Sequence, residues 1–305
     1  MAEPSVDALY EQVRNVVRAA ESTAAPTLQR VAPGIRVLAL RTPTLPPAAH
    51  TNTYLVGPER GPQLVVDPGS PYADQQAILD RVLADDAAEG RPLDMVLLTH
   101  HHGDHVGGAA AVAARWHVPI AAHARTAARL AGRIAVDREL ADGEVVRGVT
   151  CVHTPGHADG HLCFEVAGAG ATLAGDMVAG LGTILIDPSE GDMADYLASL
   201  GALLARPAAT LCPAHGPAIR DGHGKLREYI AHRVMREDRV VAALAARGTA
   251  GGTLDELVPE VYADTPRALW PLAARSLRAH LDKLAREGRA RETAAGTWLR
   301  AANSL

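Results

Sequence analysis

Between residues 35 and 215 the chain is a succession of short apolar runs punctuated by Gly, Pro and Asp: "IRVLAL", "TNTYLVG", "QLVVDPG", "MVLLTH", "VPIAAH", "VTCVHTPGH", "HLCFEV", "ATLAGD", "GTILID" and "ATLCPAH". Runs of this length and punctuation predict β-strands. Apolar residues recur at helical spacing over residues 74–83, 105–116 and 193–204, which predicts helices there. Many strands with a few intervening helices predict an α+β fold of stacked sheets covered by helices. Upstream, Leu9, Val13, Val16 and Val17 share one helical face. They predict an amphipathic arm, residues 1–30, that packs on the body or on a second subunit, so that a homodimer is one expectation.

The pattern changes near Gly216. A long charged helix is predicted over residues 225–247, followed by "GTLDELVPEVYA", "PRALWPLAARSLRAHLDKLAREG" and a short hairpin in "RARETAAGTWLRA" around Gly296. Three helices and a small hairpin predict a winged helix. The chain therefore divides into an arm (1–30), a body (31–221) and a winged-helix-like tail (222–305).

At 48% hydrophobic, 305 residues bury a sizeable core, and with Phe164 as the only phenylalanine that core is built from Ala, Val and Leu. The net charge of -5 argues against a surface that grips nucleic acid or an anionic membrane throughout. The charge is uneven: residues 225–305 hold 14 Arg and Lys against 10 Asp and Glu, leaving the remainder strongly acidic. No run reaches the ~18 apolar residues of a membrane span, and the N-terminus lacks the basic start and apolar stretch of a secretory signal. A cytoplasmic setting without a membrane partner is expected. Cys151, Cys163 and Cys212 are odd in number and follow no C-x-x-C spacing, so buried free thiols are expected.

The densest chemistry is "VLLTHHHGDHVGG", residues 96–108, with four histidines and one aspartate in six positions. An apolar strand ends at Thr99 and delivers His100, His102, Asp104 and His105 into the following turn, where Gly103 lets the chain curl. His157, Asp176 and His215 recur in the same setting, each after an apolar strand with a glycine close by. Imidazoles and carboxylates converging from strand ends are ligands for a borderline cation such as zinc, and seven are too many for one ion.

Thr99–His105 reads T-H-x-H-x-D-H, and with the downstream His157, Asp176 and His215 the chain resembles the metallo-β-lactamase superfamily. The resemblance implies a four-layered αββα sandwich with metals at one rim. It implies His100, His102 and His157 on one metal, Asp104, His105 and His215 on the other, and Asp176 bridging, so that Asp104 and Asp176 take part in the chemistry. Two Zn2+ ions per chain are expected, with Mn2+ or Fe as alternatives. Asp67 in "VVDPG" is implied as a support that orients the histidine loop. The pairing of His105 with Asp176 is similar to glyoxalase II rather than to true zinc β-lactamases. "TNTYLVG", "TPGHADGH", "PAHGP" and "YIAHRVMRE" resemble a lactamase-beta-like branch that includes a single-stranded RNA endoribonuclease and polyketide thioesterases.

These readings predict a dinuclear zinc-dependent hydrolase using a metal-bridging hydroxide on an ester or thioester of a small acid. Single-stranded RNA cleavage is the alternative, and a metal-binding winged-helix regulator a third. His161 and Asn52 are candidates for touching substrate or supporting the ligands, and so is His50, whereas His101 and His153 read as neighbours of the ligands. Arg233, four residues before Glu237, predicts a solvated ion pair, the functional alternative being that Arg233 or Arg236 holds an anionic substrate. Arg275, Arg278, Lys283 and Arg286 are the candidate nucleic-acid face.

Overall fold

The computed structural model describes residues 6–16 and 26–301. After helix α1 (Val6–Val16), seven strands form the first sheet in chain order: β1 (Gln29–Ala32), β2 (Ile35–Arg41), β3 (His50–Val56), β4 (Gln63–Val66), β5 (Leu93–Leu97), β6 (Ile120–His123) and β7 (Arg138–Leu140). β1 to β4 are an antiparallel meander. From β4 onward neighbours are parallel, so each connection must cross over the sheet. Helices supply the crossovers: α2 (Ala73–Ala88) after β4, α3 (Gly103–Val106) and α4 (Ala109–Trp116) after β5, and α5 (Ala124–Leu130) after β6.

The second sheet holds β8 (Val145–Val146), β9 (Val149–His153), β10 (Leu162–Val166), β11 (Ala171–Gly175) and β12 (Thr210–Pro213) in the order β12-β11-β10-β9-β8. Its one parallel pair, β11 with β12, is joined through α6 (Met193–Leu204). Side-chain alternation sorts the strands into layers. Leu64, Val66 and Leu97 meet Cys151, Phe164 and Cys212 between the sheets. The opposite face of the first sheet, with Leu38, Val65 and Val96, is covered by Leu79 and Leu83 of α2 and Val112 of α4. That of the second, with Val152 and Cys163, is covered by Tyr196 and Leu200 of α6 and by Leu226 of α7 (Gly222–Arg247). The result is an αββα sandwich.

α7 continues past the sandwich. Its C-terminal half, through Val240 and Leu244, forms a separate core with α8 (Leu254–Val261), α9 (Trp270–Arg286) and the hairpin β13 (Ala290–Glu292) and β14 (Trp298–Arg300). One rod of 26 residues thus belongs to two cores. α1 lies on the body, with Leu9 and Val13 buried and Arg14 donating to the Pro43 carbonyl at 2.9 Å.

Three expectations are corrected. "GTILID" is not a strand: its carbonyls at Gly182, Ile184 and Leu185 accept from Tyr229, Arg233 and His157 side chains instead of a neighbouring strand. The helix expected over 105–116 is two helices, α3 and α4, parted at Gly107 and Gly108, where the Gly108 N–H turns to the Pro68 carbonyl at 2.8 Å. Val16 is exposed rather than packed, and Val17 lies outside the described residues.

Phe164 is fully buried between the sheets, opposite Cys151 and Leu173 on the flanking strands. In a core with no other phenylalanine its loss leaves a void that small neighbours cannot fill. Phe164→Ala is expected to destabilise the protein by about 3–5 kcal/mol, read as a lower urea midpoint with an unchanged slope. A change below about 1 kcal/mol would show that the core can collapse around the site.

Candidate metal centre

Every candidate ligand lies at or just beyond the C-terminal end of a strand, and the two parallel pairs, β4 with β5 and β11 with β12, bring those ends to one rim. After β4 the chain turns through Asp67, whose φ of +49° is left-handed, and folds its carboxylate back over the end of β5. Asp67 Oδ1 accepts the Thr99 amide at 2.8 Å, and Oδ2 accepts the Thr99 hydroxyl at 2.6 Å and His105 Nδ1 at 2.8 Å. The turn fits closely: a Cβ on Gly69 would sit 1.8 Å from the Asp104 carbonyl oxygen.

Five imidazoles are then oriented by what their outer nitrogens donate to. His105 Nδ1 gives its proton to Asp67. His100 Nδ1 donates to the Thr99 hydroxyl at 3.0 Å, because that hydroxyl's own proton is committed to Asp67. His102 Nε2 donates to Glu190 Oε1 at 2.7 Å, His157 Nδ1 to the Leu185 carbonyl at 2.8 Å, and His215 Nδ1 to the His50 carbonyl at 3.0 Å. Each remaining nitrogen therefore points inward, where a bound cation would take it as a lone-pair donor.

These lone pairs form two groups. His100 Nε2, His102 Nδ1 and His157 Nε2 lie 2.9–3.3 Å from one another. His105 Nε2 and His215 Nε2 face Asp104 at 4.0 and 3.5 Å. Between the groups, Asp176 Oδ1 is 3.4 Å from His215 and 3.6 Å from His105, and Oδ2 is 3.5 Å from His157. Among the described residues, His105 Nε2 and Asp176 Oδ1 are buried without a hydrogen-bond partner. Converging lone pairs and orphaned buried acceptors repel one another unless a cation compensates them. The seven residues fit divalent metal, with Asp176 placed to serve both groups.

The electrostatics follow the same geometry. Burial drives the His100 pKa well below its usual value and that of His157 down to about 4, keeping both rings neutral and free to ligate. Burial alone would raise the Asp176 carboxyl, but His215 and His105 beside it hold it well below the ordinary carboxylate range.

The other candidates support this centre. His161 is fully buried, bonded to the Thr154 hydroxyl at 2.8 Å, and its Nε2 accepts the Asp176 amide at 3.1 Å. Gly175, at φ +48°, makes room, since a Cβ there would lie 2.4 Å from that ring. Asn52 donates to the Pro213 and Gly216 carbonyls at 2.9 and 2.8 Å and so holds the loop that carries His215. His50 contributes its carbonyl rather than its ring. His101 bonds Glu190 at 3.0 Å, and His153 bonds the Asp159 carbonyl and stacks on His123. Glu190, from the turn before α6, escapes the sequence analysis because "DPSEGDM" has no ligand spacing. The only signal was the need of two adjacent histidines for an acid.

A cavity of about 500 Å³ opens over the centre, with His102, Asp104, His157, Asp176 and His215 on its floor. Its walls come from α1 through Tyr10, from the loops around residues 43–48 and 181–185, and from α7 and α9. The expected ion pair between Arg233 and Glu237 is not formed. Arg233 is buried in the cavity wall, and Glu237 is taken instead by Lys283, at 2.7 Å, and Arg289.

The Lactamase_B family model, described as the metallo-beta-lactamase superfamily, matches residues 46–215, and a beta-lactamase associated winged helix domain matches 253–298. The chain is 32% identical to the beta-lactamase-like protein 2 homolog of Drosophila melanogaster, over 79% of this chain and 84% of the relative. It is 33% identical to an atrochrysone carboxyl ACP thioesterase of Aspergillus chevalieri, over 79% of this chain and 77% of the relative. A beta-lactamase domain protein from Burkholderia ambifaria shares the fold at TM-score 0.77 and 23% identity, covering 92% of this chain and 96% of that one. The chain belongs to the metallo-β-lactamase superfamily and is a hydrolase of that fold with a C-terminal winged helix.

Glu190 holds His102 by one oxygen and His101 by the other. Glu190→Ala is expected to weaken zinc retention about 10–100-fold, measured by competition with a chromophoric chelator, while the circular dichroism spectrum stays native. Unchanged affinity would remove Glu190 from the centre. Burial pushes the Cys151 thiol to about 11 and those of Cys163 and Cys212 to about 12, and all three are free. Replacing all three with Ala is expected to lower the melting temperature but leave the metal content unchanged; loss of an ion would make a thiol a ligand.

Proposed function

We propose that the protein is a dinuclear zinc-dependent hydrolase acting on an ester or thioester of a small acid. The observation that carries this reading is the cavity: the ligand cluster sits at the floor of a walled, largely apolar pocket of about 500 Å³, sized for a small acyl group. Relatives named as acyl carrier protein thioesterases favour a thioester among the bonds such a centre could cleave.

His100, His102 and His157 would hold one ion, Asp104, His105 and His215 the other, and Asp176 both. Zinc bound there supplies Lewis acidity and lowers the pKa of water toward about 7. The chain's own part is orientation. Asp67, Glu190 and the His50 and Leu185 carbonyls fix the imidazole tautomers, Asn52 and His161 fix the loops that carry His215 and Asp176, and the walls limit bulk water.

The RNA reading draws no support from the four tail residues expected to carry it. Each of its four candidate basic residues faces an acid of the same chain: Arg275 with Asp187, Arg278 with Asp282 and Glu292, Lys283 with Glu237 and Glu287, and Arg286 with Asp192. Basic side chains paired in this way offer little to phosphates. No described helix is long and apolar enough to cross a membrane.

Elemental analysis after zinc loading is expected to give two ions per chain, and a ratio that stays at one would overturn the dinuclear reading. Asp176→Ala is expected to abolish thioester and ester hydrolysis with the fold preserved. Substantial turnover with both ions retained would show that Asp176 is not shared between them.

A further inference from the structure

The metal floor leaves one wall of the cavity unexplained. α7 turns Arg233 and Arg236 into it from positions three residues apart, and the two are only 3% and 4% exposed. Arg236 is compensated: it donates to Asp264 at 2.8 Å and to the Val261 carbonyl at 2.5 Å, above the ring of Tyr262. Arg233 is not. Its contacts are the Ile184 carbonyl and the ring of Tyr196 at 5.3 Å, and no carboxylate among the described residues pairs with it, the nearby acids Asp264 and Glu237 being engaged by other cations.

The surroundings repeat the deficit. Nε of both arginines, the Tyr262 hydroxyl and both ring nitrogens of His280 are buried without hydrogen-bond partners among the described residues. The pKa of His280 is driven well below its usual value by burial first and then by the charges of Arg233, Lys283 and Arg236; His232, also in the cavity wall, is lowered by burial and by Arg233 and Arg236. Beside Arg233, burial and neighbouring charge disfavour protonation of His280 and His232, and Arg236 is positive; of the cavity's acids, Glu228 is paired with Lys225 at 2.9 Å and Asp104 and Asp176 belong to the floor. A buried guanidinium persists where something compensates its charge, and here the chain leaves that role open on the side that lines the pocket.

We infer that Arg233, with Arg236 beside it, forms an anion subsite that takes a carboxylate carried by the acyl part of the substrate. The inference rests on the hydrolase reading and narrows it to the thioester or ester of a dicarboxylic acid, with one carboxyl group in the scissile bond and the other on Arg233. The planar guanidinium fork matches a carboxylate through two parallel N–H donors. A phosphate on a carrier arm has similar fork chemistry, but a site this enclosed favours the singly charged group, because desolvating a dianion costs more.

The test uses the full-length, zinc-loaded protein and two N-acetylcysteamine thioesters of equal chain length, glutaryl with a free carboxylate and valeryl without one. The wild type is expected to favour glutaryl about 10–100-fold in kcat/KM, Arg233→Met to bring that ratio close to one, and Arg233→Lys to fall between. Calorimetry is expected to show glutarate binding, no binding of neutral glutaramide, and at least about tenfold weaker glutarate binding to Arg233→Met. Because replacing an unpaired buried cation by an apolar side chain is neutral or stabilising, Arg233→Met is expected to keep its melting temperature and zinc content. A clear fall in melting temperature in both variants would mark Arg233 as structural and overturn the subsite. So would valeryl turnover without glutarate preference or binding, which leaves the hydrolase reading intact. An Arg233-dependent preference for valeryl-coenzyme A over valeryl-N-acetylcysteamine would move the anion to the carrier and overturn the acyl assignment. Arg233-dependent glutarate binding without hydrolysis of any ester or thioester would support the subsite while the hydrolase reading fails.

Discussion

The centre depends on one buried carboxylate. Asp67 is 2% exposed, and it is stable there only because both oxygens are occupied by Thr99 and His105. That arrangement does more than satisfy Asp67. It ties the end of β4 to the end of β5, commits the Thr99 hydroxyl so that His100 must donate to it, and fixes the tautomer of His105. Two ring nitrogens, one in each ligand group, are thereby aimed by a residue that belongs to neither group. The remaining imidazoles use the same device with a carboxylate or carbonyl of their own. The centre is a set of acceptors around the outside that forces a set of lone pairs toward the middle.

Much of this was legible in the sequence because it rests on short-range rules. Strands that end in polar residues and glycine, seven ligand-type side chains after them, and the helices and hairpin of the tail are all local patterns. What was not legible depends on partners far along the chain. Residues 182–187 have strand composition, yet their carbonyls are captured by Arg233, His157 and Tyr229, so no ladder forms. Glu190 stands 88 positions from His102 in a turn whose composition predicts only a turn. Arg233 and Glu237 have the spacing of an ion pair, but tertiary packing buries one against the pocket and gives the other to Lys283 of α9 and Arg289 in the turn beyond it.

Net charge misleads in the same way. An excess of four basic residues in the tail reads as a positive field only while their neighbours are unknown. With Asp187 and Asp192 of the body facing Arg275 and Arg286, part of that excess is spent as glue between tail and body. The buried cation left without a carboxylate among the described residues is in the pocket wall, at Arg233.

The helix that carries Arg233 is shared by both cores. At about 1.5 Å per residue, α7 is a rod roughly 39 Å long, anchored in the sandwich at Leu226 and Tyr229 and in the winged helix at Val240 and Leu244. A rod of that length acts as a lever. A tilt of about 5° about its anchored end would carry the far end some 3 Å but Arg233, about 10 Å from Leu226, only about 1 Å. The pocket wall thus sits near the anchored end of the lever, so that what the winged helix gains in reach the subsite at Arg233 keeps in steadiness.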